Sequence, residues 1–345
     1  MGRIHFSRDH PMDSISQYFR KVKPGFLNRN SRQEFEIFYQ VNNGDDEPTF
    51  LKFAEYNAGN HDRIIQMMSS DDTHDFFIHE TDLIHYYKNF FIQNLEQTMK
   101  ADGPGIKVLA RSYPVAVQIL LEYFENIGSP RVLRMLKPVL DLMAPCFTGG
   151  NVAFADVFRI ASKSNKTYSH CVNVGLYCMY LASKLQMSLE PVKELGMGGM
   201  VADIGKKELP IELLLKPGEL SPEERRVLRR HPSAGRKVLN DMKCFTPSIL
   251  SMAAEHHEKF SGEGYPFGLA GEKISLFARV CAIMDAFDSL TCERTFHKPL
   301  SPIEALTVMK NDMPGHFDNR VFVNFVKTLA GAPQRQATGP AVAKS

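Results

Sequence analysis

No stretch of this 345-residue chain reaches the roughly 18 to 20 apolar residues that a membrane-spanning helix requires. The opening MGRIHFSRDHPMD also lacks the apolar core of a secretory signal. A cytoplasmic protein with no membrane span is therefore expected. Charge of one sign is missing too, since 41 Lys+Arg stand against 39 Asp+Glu for a net charge of +2. That balance gives no reason to expect a DNA or RNA polymer or an anionic membrane as partner, although a small anionic ligand needs only a local basic patch. Cysteine is sparse, and none of the six (Cys146, Cys171, Cys178, Cys244, Cys281, Cys292) forms a CxxC pair. Buried, reduced thiols are expected rather than a disulfide scaffold. With no internal repeat and no long low-complexity tract, collagen and wholesale disorder drop out as well.

What is present is an ordinary globular composition, 43% hydrophobic and 23% charged, over a length that suggests two units plus connectors. Alternation in EFEIFYQV and FLKFAE, a helical period in DRIIQMMSS and the short apolar FFIH predict a small α+β domain within residues 1–102. A helical stripe over 82–99 leads out of it. Helices over about 106–127 and 130–144 predict a helical connector, 103–149, whose apolar stripes permit a homodimer. From 150 to 331 the chain reads as an all-α domain, with helices at 153–163, 168–187, 190–202, 222–242, 247–258, 275–290, 301–311 and 318–330. Ser221, Pro222 and Glu224 mark one helix start clearly, as N-cap, first-turn proline and the closing member of a capping box. Residues 332–345 read as a frayed tail.

The chemistry concentrates in the helical half. His170, His231, the adjacent pair His256 and His257, Asp203 at a helix end and Asp285 inside the apolar run ARVCAIMDAF are spaced about 25 to 33 residues apart. Helices of ordinary length return such positions to one cavity. Mixed imidazole and carboxylate donors suit Fe, Mn, Zn or Ni, and a shared carboxylate suits a binuclear hydrolytic centre. Plainer readings stand beside this one. A single helical His is as a rule a cap or half-buried residue, and Asp203 reads equally as a helix terminator. Lys206 and Lys207 read as a solvated pair at a helix end, and GEGYPFG (262–268) as a tight turn. The double histidine and Asp285 are harder to dismiss, because a carboxylate among apolar residues is costly without a cation.

Three segments carry a family resemblance: YSHCVNVGLYCMYLASKL (168–185), ADIGKKELPIELLLKPGELSPEERRVLRRHPSAGRKVL (202–239) and HHEKFSGEGYPFGLAGEKISLFARVCAIMDAFDSLTCERTF (256–296). Over about 150–325, roughly half the chain, the sequence resembles the HD-GYP domain. The resemblance implies an all-helical, metal-dependent phosphohydrolase of the HD superfamily that opens cyclic di-GMP to pGpG, and onward to GMP, at a bi- or trinuclear centre. It implies metal ligands at His170, Asp203, His231, His256, His257 and Asp285, with Asp203 bridging two divalent ions, Fe or Mn. Catalytic roles fall to Asp203 and Lys206, the latter beside the substrate phosphate. Asp288, Arg294 and Tyr265 fall on the substrate side. Gly264, Tyr265 and Pro266 form the GYP loop, through which family members contact GGDEF-type cyclase domains.

This chain departs from the pattern in three places. The dipeptide that names the family is Ala202–Asp203 here, so one imidazole ligand is absent and a methyl cannot replace it. Lys166 stands where trinuclear members carry Glu, which argues for two ions. Phe296 and His297 replace the usual aromatic and basic pair. Two functions follow as expectations: a cyclic di-GMP phosphodiesterase working with a reduced ligand set, or a catalytically degenerate module that senses the nucleotide or binds a partner. An HD-superfamily hydrolase acting on another nucleotide is a third.

Overall fold

The computed structural model describes residues 19–22, 27, 34–41, 49–71, 75–79, 82, 86, 92–125, 130–149, 152–161, 164, 166–293 and 298–329. Strands β1 (Phe19–Lys21), β2 (Phe35–Val41), β3 (Thr49–Tyr56) and β4 (Phe76–His79) form one antiparallel sheet of order β1-β4-β2-β3. Alternation predicts β2 and β3, and the short apolar run FFIH predicts β4. β1 is too short to show a period and was not expected. The inward residues Phe35, Ile37, Tyr56 and Ile78 are buried, with α1 (His61–Ser70) contributing Ile64 and Met68 to the same core. That is the one-faced burial an alternating strand allows.

Among the described residues all further regular elements are helical. They run α2 (Gln93–Asp102), α3 (Ile106–Glu125), α4 (Leu136–Thr148), α5 (Phe154–Ile160), α6 (Thr167–Lys184), α7 (Leu189–Val201), α8 (Ile211–Leu215), α9 (Pro222–Leu228), α10 (His231–Asp241), α11 (Pro247–Glu255), α12 (Leu276–Thr291), α13 (Pro302–Asn311) and α14 (Asn319–Leu329). A 3-10 turn, Ile204–Glu208, follows α7. α6 is buried without interruption from Ser169 to Ala182, so it is the central helix, packed against α3, α7 and α12. Side-chain caps start α9 (Ser221 with Glu224), α11 (Thr246), α12 (Ser275) and α13 (Ser301 with Glu304), satisfying first-turn amides. Among the described residues no helix is long and apolar enough to cross a membrane.

Several expectations change. The apolar stripes of 106–144, read as permitting a homodimer, are buried inside the chain, where α3 and α4 pack on α6 and α7. They therefore form part of the helical core. The single helix expected over 222–242 is two, broken at Arg229 and Arg230. Pro232 causes the break: it has no N–H for the Leu228 carbonyl and its ring crowds that oxygen. Five cysteines are buried as expected, but Cys244 is exposed. Residues 332–345 and the Gly128–Ser129 punctuation lie outside the described residues. The sheet meets the helical body through Arg20 of β1, whose guanidinium lies 3.7 Å from Glu122 of α3, both side chains nearly buried.

Candidate metal centre

The break before Pro232 also prepares a ligand. The Leu228 carbonyl left without a helical donor accepts instead from His231 Nδ1 at 2.8 Å. This holds the proton on Nδ1 and leaves the Nε2 lone pair free. His256 repeats the device at the end of α11, where its Nδ1 lies 3.1 Å from the carbonyls of Met252, which also accepts the His256 amide, and Ala253, acceptors of the last turn. The two free Nε2 atoms face each other at 3.3 Å. Asp203 Oδ1 joins them at 3.1 Å from His231 and 3.6 Å from His256, buried and accepting no hydrogen bond. Three acceptors converging with no proton between them repel one another, and a divalent cation at their focus satisfies all three. The donor set therefore fits a metal ion.

A second focus lies on the other side of Asp203. His170, in the first turn of α6, gives its Nδ1 proton to Asp288 at 2.7 Å and turns Nε2 toward Asp285 Oδ1 at 2.9 Å and Asp203 Oδ2 at 3.5 Å. The candidate donors fall into two groups, Asp203–His231–His256–His257 and His170–Asp203–Asp285, each with its ligand atoms within 4.8 Å of one another. Asp203 belongs to both. Every metal ligand implied by the resemblance is in one group or the other. Ala202, 4% exposed at the end of α7, offers no donor atom. Lys166 is exposed before α6.

Close backbone packing sets Asp203 in place. Gly205, two residues on, lies so near the start of α10 that a Cβ there would sit 2.1 Å from the His231 carbonyl and 2.4 Å from the Gly235 nitrogen. Tyr123 of α3 holds the same turn from behind: its hydroxyl donates to the Ile204 carbonyl at 3.4 Å, and its own carbonyl accepts from Lys207 Nζ. Lys207 thus faces α3, away from the metal groups. Lys206 is the lysine at the centre, donating to Asp203 Oδ2 at 2.5 Å.

The electrostatics follow from burial among opposite charges. Burial pushes the Asp203 carboxyl upward, but the Lys206 ammonium beside it outweighs that effect and holds the group well below the usual carboxylate range. Asp285 is likewise lowered against the effect of burial, chiefly by His170. Burial lowers His170, yet Asp285 and Asp288 lift it to about 9. Burial depresses His231, and depresses His257 further with the help of His256. Neutral imidazoles are the form a metal ion takes.

Asp288 is the correction among the expected substrate groups. It is fully buried and touches His170, Asn173 (Nδ2 to Oδ1, 2.9 Å) and the Cys292 thiol, so it orients a ligand rather than meeting substrate. Asn173 is held in turn by the Tyr113 hydroxyl at 2.8 Å. Arg294, Phe296 and His297 lie outside the described residues.

The GYP loop is held by a residue that pattern reading passed over. Glu258, buried directly after the histidine pair, accepts from the amides of Phe267 (2.7 Å) and Leu269 (3.0 Å). Tyr265 stacks on His257 with ring centroids 4.9 Å apart, and the Arg229 guanidinium lies 5.1 Å from the centroid of the Tyr265 ring. Gly264 packs against the Glu258–Lys259 backbone, where a Cβ would lie 2.3 Å from the Lys259 nitrogen, and Pro266 follows a cis peptide bond. The identity of Glu258, directly after the double histidine, was the available signal. Asn173, Arg229 and Tyr123 carried none.

Residues 155–321 match the HD domain family. Within that segment stand the double histidine, the GYP loop and both donor groups. This part of the chain matches the HD domain family and resembles its HD-GYP form. A cyclic di-GMP phosphodiesterase of Pseudomonas aeruginosa is 38% identical over 181 residues, 52% of this chain and 44% of the relative. A 3'3'-cGAMP-specific phosphodiesterase of Vibrio cholerae is 36% identical over 165 residues, 47% of this chain and 38% of the relative. The chain thus spans less than half the length of these curated relatives. The solved structure of an HDG"Y"P protein from Bdellovibrio bacteriovorus aligns with a TM-score of 0.57 at 18% identity, covering 91% of this chain and 100% of that one, a likeness of fold.

Proposed function

We propose that the protein is a metal-dependent phosphodiesterase that opens cyclic di-GMP to linear pGpG, and onward to GMP, at a binuclear centre. The convergence of His231 Nε2, His256 Nε2 and Asp203 Oδ1 with no proton among them carries this reading. The names of the relatives supply the substrate class. In this reading His231, His256 and His257 hold one ion, His170 and Asp285 hold the other, and Asp203 is common to both. Fe or Mn suits the mixture of imidazole and carboxylate. Such ions, when bound, polarise a phosphoryl oxygen and lower the pKa of water, so no protein base is compulsory. Lys206 keeps Asp203 ionised and sets an ammonium beside the scissile phosphate, with Arg294 as a further substrate group. Tyr265 braces His257.

Residues 1–102 act as a regulatory unit in this proposal, 103–149 link it to the phosphohydrolase segment 150–331, and the contact of Arg20 with Glu122 supports communication between them. The GYP loop offers GGDEF-type domains an apolar contact in Phe267, which is 53% exposed. Anaerobically purified protein supplied separately with Fe(II) and Mn(II) should hydrolyse cyclic di-GMP, and Asp203→Ala should abolish turnover. No turnover with either metal would overturn the reading.

Ala202 favours a second reading, a nucleotide sensor or partner-binding module without turnover. Ala202→His separates the two. A large rise in metal content and rate marks the natural site as crippled, whereas unchanged turnover shows that the imidazole is dispensable.

A further inference from the structure

Asn173 is fully buried in α6, flanked in sequence by the buried Val172 and Val174. An amide in such a place is destabilising unless both of its ends are hydrogen-bonded. Its Nδ2 donates to Asp288 Oδ1 at 2.9 Å, and its Oδ1 accepts from the Tyr113 hydroxyl at 2.8 Å. This orientation has one solution. A carboxylate only accepts, so the amide must turn its NH2 to Asp288, and its oxygen then needs a donor on the opposite side. Tyr113 supplies that donor from α3, in a row shared with Leu109, Ala116 and Leu120, all apolar and fully buried.

The contacts run in one direction. The Tyr113 hydroxyl points to Asn173, the Asn173 amide to Asp288, and the other Asp288 oxygen takes the Nδ1 proton of His170 at 2.7 Å. His170 Nε2 is thereby left facing Asp285 and Asp203. Hydrogen bonds in such a chain polarise one another, so removal of the outermost donor is felt at the inner end. That donor lies outside the segment that matches the HD domain, which begins at residue 155.

We infer that Tyr113 is a positioning residue for the His170 metal group: its hydroxyl fixes the Asn173 amide, the amide steadies Asp288, and Asp288 holds the His170 proton on Nδ1. The connector helix α3 is thereby part of the centre. The inference rests on the metal-dependent reading of the site and adds to it a residue that the matched segment does not contain.

The test is Tyr113→Phe in the full chain, which removes one oxygen atom and keeps the ring. Competition for Mn(II) with a chromophoric chelator should show one of two binding steps weakened about three- to tenfold, less than for a group that bonds a ligand directly, and the other step unchanged. Tyr177→Phe is the control, because the Tyr177 hydroxyl is buried in α6 with no hydrogen-bond partner among the described residues, and both steps should keep their wild-type values. In an Asn173→Ala background, Tyr113→Phe should weaken the affected step by less than about twofold further, since the two act in series. At subsaturating Mn(II) the Tyr113→Phe chain should lose turnover of cyclic di-GMP, and excess Mn(II) should restore kcat with KM for the nucleotide unchanged. Two unchanged steps, two equally weakened ones, full additivity with Asn173→Ala, or a loss of turnover that excess Mn(II) does not restore overturns the inference. One weakened step in Tyr113→Phe, with no hydrolysis of cyclic di-GMP by wild type, leaves the positioning role standing and removes the phosphodiesterase reading. Two unchanged steps beside wild-type hydrolysis do the reverse.

Discussion

Replacing Asp288 by Asn removes one charge and almost no volume from a side chain that is fully buried. In the native chain its Oδ2 takes the Nδ1 proton of His170 at 2.7 Å, and its Oδ1 accepts from the Asn173 amide at 2.9 Å. An amide at this position has one acceptor oxygen for three donors, His170, Asn173 and the Cys292 thiol. If its NH2 turns toward His170, the imidazole must move its proton to Nε2, the atom that faces Asp285 at 2.9 Å, and the lone pair needed for a metal ion is lost. If it turns toward Asn173, two amide donors confront each other in a buried site, at a cost of about 1–3 kcal/mol in stability. Loss of an orienting partner of this kind weakens a metal site roughly ten- to a hundredfold, or about 1.4–2.8 kcal/mol. The structure further requires that the loss fall on one ion only, because the His231–His256–His257 group makes no contact with Asp288. Competition with a chromophoric chelator, resolving two stoichiometric steps, measures this. The expected result is one weakened step and one unchanged step, in contrast to Asp203→Ala, which should weaken both. Two unchanged steps, or two equally weakened ones, would refute the assignment of Asp288 as the orienting partner of His170.

Other outcomes follow from the same geometry. Gly205→Ala drives a methyl into the His231 carbonyl, 2.1 Å away, and should cost about 1–3 kcal/mol while lowering metal content, as read by thermal denaturation with elemental analysis. A wild-type melting temperature would show that the turn and α10 are not locked together. Glu258→Gln leaves one acceptor for the Phe267 and Leu269 amides, so hydrogen exchange at those two positions should accelerate at least about tenfold while the helical core stays protected. In chelator-treated protein His170 is protonated up to about pH 9, against 6.5 for an unfolded imidazole. Its stabilisation by Asp285 and Asp288 is complete below pH 6.5 and disappears as pH rises through 9, so the melting temperature of the metal-free chain should fall across that window. A flat or rising profile there would contradict the ion pairing.

Much of this centre was legible in one dimension. The capping box at Ser221 and Glu224, the alternation of β2 and β3, and the run of apolar helices are local consequences of side-chain chemistry, and local signals survive without a partner in view. The double histidine, Asp203 and Asp285 stood out for the same reason, since donors of these types at these spacings are costly to bury for any other purpose.

What the sequence by itself determined is which residues are able to act: six metal-ligand candidates, a lysine, a proline-stiffened loop, and an alanine where a seventh ligand would stand. Only the tertiary structure decided which of them face one another. Asp288 became an orienting residue because α12 packs on α6 with Asp288 against His170, and a helical period states which face a residue occupies, not what lies across from it. The apolar stripes of α3 and α4 pack on α6 and α7, and only the structure shows this, since hydrophobic burial is non-directional and a stripe carries no label for its partner. His231 owes its place to a helix broken at Pro232, and the distance from that break to Asp203 is set by the contact of Gly205 with Gly235, a meeting of two backbones that no side chain announces.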